Sequence, residues 1–378
     1  MLFQQETCII SYEGKGSLPL AALRPFGLFT FIIIAQYRNC AIDIIILYED
    51  IMIFIARTMR LAFALILMPV MLLVSGCSDR PEGPVVIGTN VWPGYEPGYL
   101  AVRQKLYGEA DVSFRQFLSA TEVLRAFRNK TIDVATLTLD EALLLQQSGI
   151  PIKVFLVADV SNGADAILAR PPIKSMGDLA GKRVGVENSA LGAYVLGRAL
   201  QINGMQERNV KTVSLTVDQT IRLYQSGNVD AVVSFEPFKA ELLNLGAVKI
   251  FDSSRIPDEI VDVLVTRKEF AETHPNALKA VVKGWLMAAN TIKQGSPDVI
   301  EELAVRLKLR PREVRDALRE LKIPLARENE ALLSGTDGQL AQASLKLIPV
   351  LEKRNGVQFS FQPEDIITAK LLPDSLDQ

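Results

Sequence analysis

The chain has 378 residues, with 41 lysines and arginines against 43 aspartates and glutamates. So even a balance gives no global field to recruit nucleic acid or an anionic membrane surface. The single histidine, His274, excludes a histidine-based zinc cage and leaves little for histidine-dependent catalysis, so neither metal nor cofactor is expected and the chain does not read as an enzyme.

Residues 1–58 hold apolar runs at 28–35 and 42–55, the second interrupted by Asp43, Glu49 and Asp50. Neither supplies the roughly twenty apolar residues of a membrane span. Met59-Arg60 then opens a charged start, 61–74 is almost unbroken apolar, and Ser75-Gly76 precede Cys77. That order is a secretory signal, with an apolar run too short to span a bilayer stably. Translation is therefore expected to start at Met59, with 1–58 an upstream extension and 59–76 the signal. Cys77 resembles a bacterial lipobox cysteine, which implies a lipidated N-terminus and a polar tether over 77–84. Cys8 and Cys40 precede the signal, so the mature chain of roughly 300 residues has no internal disulfide and holds two lobes by core packing alone.

From residue 85 the pattern predicts strand 85–92, helix 97–107, strand 111–118, helix 119–130, strand 133–139 and helix 140–147. After Ser161-Asn162-Gly163 it predicts an extended 165–169, strand 182–187 and a long helix over 189–202. Strand 210–217, helix 218–226 and strands 230–235, 248–251 and 260–265 follow, the last leading back to the first lobe. Beyond His274 it reads as wholly helical: 275–293, 297–307, 311–321 and 340–353, three of them opening on proline. Strands alternating with helices of this length give mainly parallel sheets built from βαβ units. The predicted fold class is α/β, two such lobes plus C-terminal helices: 85–162 with 260–378, and 163–259.

Val86-Ile87-Gly88 through Trp92-Pro93-Gly94-Tyr95-Glu96-Pro97, Ser119-Ala120-Thr121-Glu122, Asp133-Val134-Ala135 with Thr138-Leu139-Asp140-Glu141, Gly181-Lys182-Arg183-Val184-Gly185-Val186 and Phe235-Glu236-Pro237 carry a resemblance. Together they resemble periplasmic solute-binding proteins of ABC importers, in the nitrate/sulfonate/taurine and thiamine-pyrimidine-precursor group. The resemblance implies a type II two-lobed clamp, acting as an extracytoplasmic monomer, that passes a small molecule to a membrane permease driven by an ATPase. A sensing lipoprotein that feeds a signalling receptor would use the same clamp. A pyrimidine-synthesising enzyme is disfavoured, because that branch uses a histidine and a cysteine-rich segment that the mature chain lacks.

Ligands of open α/β lobes sit beyond the carboxyl ends of the strands. That rule and the resemblance select Trp92 and Tyr95 as an aromatic wall, although Trp92 equally suits a core cap. Glu96 beside them is expected to be exposed. Thr138 and Asp140 end a strand, Asp140 also suiting a helix N-cap. Asn162 offers donors and acceptors at the lobe crossing, where Asn-Gly also signals a turn. Ser189 opens a helix whose free N–H groups suit an anion, and serves equally as its N-cap. Glu236 between aromatics suits a ligand amine or a helix start, and Asp262 faces the cleft from the returning strand. Several acids and few cations there point to a ligand with a positive or donor-rich part. The basic run 306–322, with Arg312 spaced to Asp316, reads as a solvated helix face, and His274 as structural.

Overall fold

The computed structural model describes residues 83–187, 189–335 and 338–373; the extension 1–58, the signal 59–76 and Cys77 lie outside them. The strands are β1 (Val85–Thr89), β2 (Val112–Gln116), β3 (Val134–Thr138), β4 (Ile152–Ser161), β5 (Ala166–Ala169) and β6 (Arg183–Glu187). There follow β7 (Lys211–Leu215), β8 (Ala231–Ser234), β9 (Val248–Asp252), β10 (Val261–Arg267) and β11 (Leu321–Lys322). They form two sheets, in the orders β11-β4-β10-β3-β1-β2 and β7-β6-β8-β5-β9.

Rather than being mainly parallel as predicted, each sheet is mixed, because it takes in a reversed strand that arrives from the other. In the first, β1 is parallel to β2 and β3, while β10 runs antiparallel to β3 and β4. In the second, β6 is parallel to β7 and β8, while β5 runs antiparallel to β8 and β9. The chain leaves the first sheet through β4, returns through β10, and so crosses between the sheets twice.

The two crossings are tied side by side. Ser161 Oγ and Ser253 Oγ lie 2.8 Å apart, and Gly163 N–H donates to Ser253 Oγ at 2.6 Å. The backbone N–H of Ser161 reaches Ile260 O at 3.0 Å, and that of Ser253 reaches Asp165 O at 2.9 Å. Gly163 sits at φ +117°, in the region that favours glycine, which lets the first crossing turn sharply.

Helices cover the first sheet closely. A Cβ on Gly98 in helix Glu96–Arg103 would lie 2.5 Å from Phe114 and Trp285, and one on Gly284 in helix Pro275–Gln294 would lie 2.5 Å from Tyr107. The helices thus approach at their glycines, and Tyr107 OH closes the contact by donating to Gly98 O at 3.0 Å.

The structure departs from the predicted elements in several places. β4 has no predicted counterpart; it is buried along almost its whole length, as are β3, β5 and β10. Helices Phe238–Asn244 and Ala326–Leu333 are also additional. The segment beyond His274 is not wholly helical: β11 pairs Leu321 with Ser161 and Lys322 with Val160, extending the first sheet by one edge strand.

Beside β11, Asn329 completes β4. Its side chain is fully buried, accepts from Val157 N–H at 2.8 Å and donates to Val157 O at 3.1 Å and Pro324 O at 3.0 Å. Here a side-chain amide substitutes for a neighbouring strand. Asn329→Leu strands both backbone groups of Val157 in the core and is expected to destabilise the fold by about 2–4 kcal/mol, read as a lower urea midpoint at unchanged m-value.

Candidate functional site

The reversed strands decide the composition of the site. Parallel strands β1, β3, β6 and β8 end facing the gap between the sheets, and their following loops carry Trp92 and Tyr95, Glu141, Ser189, and Phe235. A reversed strand begins where its parallel neighbours end: Asp262 pairs with Thr138, and Ala166, directly after Asp165, pairs with Ser234. Acids at the start of β10 and just before β5 therefore join those at the ends of β3 and β6. They enclose a small cavity of about 30 Å³, walled by Asn90, Trp92, Tyr95, Thr138, Glu141 and Asp262 from the first sheet's side. Asp165, Glu187, Ser189, Leu191 and Phe235 wall it from the second. Trp92 and Phe235 meet edge to face across the gap, ring centroids 6.0 Å apart.

Carboxylates dominate this cavity. Glu141, Asp165 and Asp262 are all but fully buried, and Asp159 lies just behind them. Tyr95 OH donates to Asp262 and Trp92 Nε1–H to Asp159 Oδ2, the latter at 3.0 Å. Glu141 Oε2 accepts from Thr138 N–H at 3.2 Å. Yet Glu141 Oε1, Asp159 Oδ1, Asp165 Oδ2 and Glu187 Oε1 are buried without a hydrogen-bond partner. Burial holds these acids above the usual carboxylate range. Glu141 is pushed up to about 8, first by desolvation and then by the charge of Asp140. Asp159 is raised to about 8 by burial against the opposing Trp92 hydrogen bond. Burial likewise carries Glu187 to about 7 and Asp165 to about 6, and Asp262 goes well up through burial and then the charge of Asp159.

Of the residues selected from sequence, Trp92, Tyr95, Thr138, Ser189 and Asp262 line the cavity. Ser189 also caps its helix, accepting from Gly192 N–H at 3.1 Å. Asp140, Asn162 and Glu236 stand outside the lining. Asp140 is not the N-cap either: Thr138 holds that position, and Asp140 lies in the first turn, buried. Asn162 is tied through its backbone N–H to Glu320 O at 2.8 Å. Glu236 turns into its own helix start, accepting from Ala240 N–H at 3.0 Å and pairing with Lys239 at 3.4 Å, while its neighbour Phe235 takes the cavity wall.

Two surface readings are corrected. Glu96 is not exposed but 1% accessible, because Arg306 Nε contacts both its oxygens at 2.9 and 2.7 Å. Arg306 consequently belongs to a buried pair and stacks over Tyr99, whereas Arg312, 3.7 Å from Asp316, does lie on an exposed face. His274 stacks on Phe270 at 4.2 Å, at the start of helix Pro275–Gln294. Sequence reasoning missed Glu141, Asp165, Glu187 and Asp159 as site residues. Strand ends gave a signal for Glu141 and Glu187, but Asp165 and Asp159 depend on which strand runs backwards.

Two mixed sheets, two crossings and a cavity walled from both sides define a two-lobed clamp of the periplasmic-binding-protein type. The chain belongs to the NMT1-like family, whose model matches residues 78–308. It is similar to the taurine-binding periplasmic protein of Escherichia coli (strain K12), at 29% identity over 194 residues covering 50% of this chain and 60% of that one. The crystal structure of the periplasmic aliphatic sulphonate binding protein SsuA from Escherichia coli matches with a TM-score of 0.62 at 19% identity, over 75% of this chain and 92% of that chain. The alkanesulfonate-binding protein SsuA from Xanthomonas axonopodis pv. citri, bound to MOPS, gives 0.61 at 16% identity, over 76% and 98%. Likeness at these identities establishes the fold. The chain spans less than two thirds of the curated relatives it matches, 60% and 57% of their lengths.

The raised carboxylates set the pH response of the free protein. A folded pKa above the unfolded value means that the native state binds the extra proton, so the stabilisation is complete below the unfolded pKa and lost as pH rises through the folded one. For Glu141 that window runs from 4.5 to about 8. The melting temperature of the ligand-free protein is expected to be higher at pH 5 than at pH 8. Glu141→Gln should flatten this slope, as measured by calorimetric scans across the range.

Proposed function

We propose that this protein is the extracytoplasmic solute-binding component of an ABC importer. It captures one small organic molecule, sulfonate-like, amine-bearing or pyrimidine-like, between the lobes formed by 85–162 with 260–378 and by 163–259, and delivers it to the permease. The carrying observation is the cavity whose walls come from both sheets: a ligand that touches both walls favours closure over the open form. Family membership and the likeness to periplasmic taurine- and sulfonate-binding proteins support a binding role over an enzymatic one. The present cavity, about 30 Å³, is far below the roughly 300–1,000 Å³ of ordinary ligand pockets. Admitting a ligand therefore requires the lobes to part about the paired crossings at Ser161 and Ser253. Export and lipidation at Cys77 would hold the clamp beside its permease. Among the described residues no helix is long and apolar enough to cross a membrane, so such an anchor rests on the N-terminal signal.

Thermal melting of the full-length protein against sulfonates, amino acids, pyrimidines and nitrate tests capture. A true ligand at a hundredfold excess over its dissociation constant stabilises by about 2.7 kcal/mol, and should also reduce the radius of gyration in solution scattering. Silence of the whole panel in both measurements counts against the proposal. Anchoring is tested separately by fractionating bacterial cells: the wild-type chain is expected in the membrane fraction, and Cys77→Ser in the soluble one.

A further inference from the structure

We propose that the ligand of this cleft is a small organic cation, an amine on a short carbon or ring body that needs no anionic group. It would serve as counter-ion to Glu141, Asp165, Glu187 and Asp262. The inference rests on the clamp reading above and narrows it to a charge class.

Three observations carry it. First, the four carboxylates are divided between the sheets, Glu141 and Asp262 on one, Asp165 and Glu187 on the other, and among the described residues no lysine, arginine or histidine lines the cavity with them. Lys239 nearby is already held by Glu236 and Glu320, and the Arg354 guanidinium turns to Ala190 O at 3.4 Å. Second, Glu141 Oε1 and Asp165 Oδ2 are buried without partners. A buried acceptor left unpaired is costly. An ammonium supplies several N–H donors to such atoms at once. Third, Trp92, Tyr95 and Phe235 give the same cavity aromatic walls, which favour an organic ammonium by cation–π attraction. A metal cation is a poorer match, since no group of three or more histidine, cysteine, aspartate or glutamate side chains among the described residues is disposed to hold one. An anion finds only the start of helix Ala190–Ile202, where Ser189 Oγ already occupies Gly192 N–H.

Closure follows from the same arrangement. With the cleft empty and its acids ionised, bringing the lobes together presses like charges of Glu141 and Asp262 against those of Asp165 and Glu187. A cation between them turns that repulsion into attraction to both lobes.

The test is calorimetric titration of the full-length protein at pH 8 with putrescine, choline and phenethylamine as cations, taurine as zwitterion and ethanesulfonate as anion. At least one cation is expected to bind saturably, at least about tenfold more tightly than ethanesulfonate. Glu187→Gln is expected to weaken that cation about tenfold while raising the melting temperature of the ligand-free protein, a pair of signs that a merely structural carboxylate would not produce. Asp165→Asn carries the same expectation should Glu187→Gln not fold. Binding of ethanesulfonate or taurine with all three cations silent overturns the charge class and leaves the clamp reading standing. Unchanged cation affinity in both variants overturns it too, and silence of every probe overturns the charge class, the clamp reading being decided by the melting and scattering panel above.

Discussion

Acids that must share a closing gap are the constraint around which this molecule is organised. Ionised carboxylates lose their hydration on burial and repel one another at short range, so a cluster of them persists only if protons, donors or a counter-charge compensate. Tyr95 and Trp92 supply donors to Asp262 and Asp159, and the Thr138 backbone supplies one to Glu141. Glu141 Oε1, Asp159 Oδ1, Asp165 Oδ2 and Glu187 Oε1 have none. The raised proton affinities of Glu141, Asp159 and Glu187 are the direct expression of that deficit.

What opposes the repulsion lies at the rim. Lys239, 3% exposed, is held between Glu236 of its own lobe and Glu320 beyond helix Pro311–Arg319, with the carbonyls of Gly163 and Ala164 at 3.4 Å. Lys249 reaches Glu320 at 3.3 Å, and Asn244 reaches Glu313 at 3.1 Å. These contacts bridge the C-terminal helices to the second sheet. The buried Lys239 pairs contribute modestly to net stability, because desolvation offsets much of their attraction, and the exposed contacts contribute less. Their effect is on register: they define one closed arrangement of the lobes. A cleft that resists closure beside a rim that favours it is a balance that a modest binding energy can tip.

Much of this was legible in the chain. Short β-branched runs followed by helical stripes mark most of β1 to β10, and proline at helix starts marks Pro275, Pro297 and Pro311, because both signals are local. Strand ends pointed to Trp92, Tyr95, Thr138 and Ser189 for the same reason. β4 and β11 were not predicted, β11 because two residues carry no period. Glu96 was misjudged, since its partner Arg306 is 210 positions away and a charged residue without that partner belongs in water.

The sequence by itself determined the alternation of strands and helices and the family likeness, each of which is written in neighbouring residues. Only the tertiary structure decided which acids meet. Asp165 and Asp262 enter the cavity because β5 and β10 run against their neighbours, and strand direction in a sheet is set by where the chain crosses, not by the residues of the strand. Asp140 and Glu236, equally acidic and equally close to strand ends, fall outside because helix geometry turns them into their own first turns. Which carboxylates share one cavity is a long-range property, fixed when the two sheets exchange strands and come face to face.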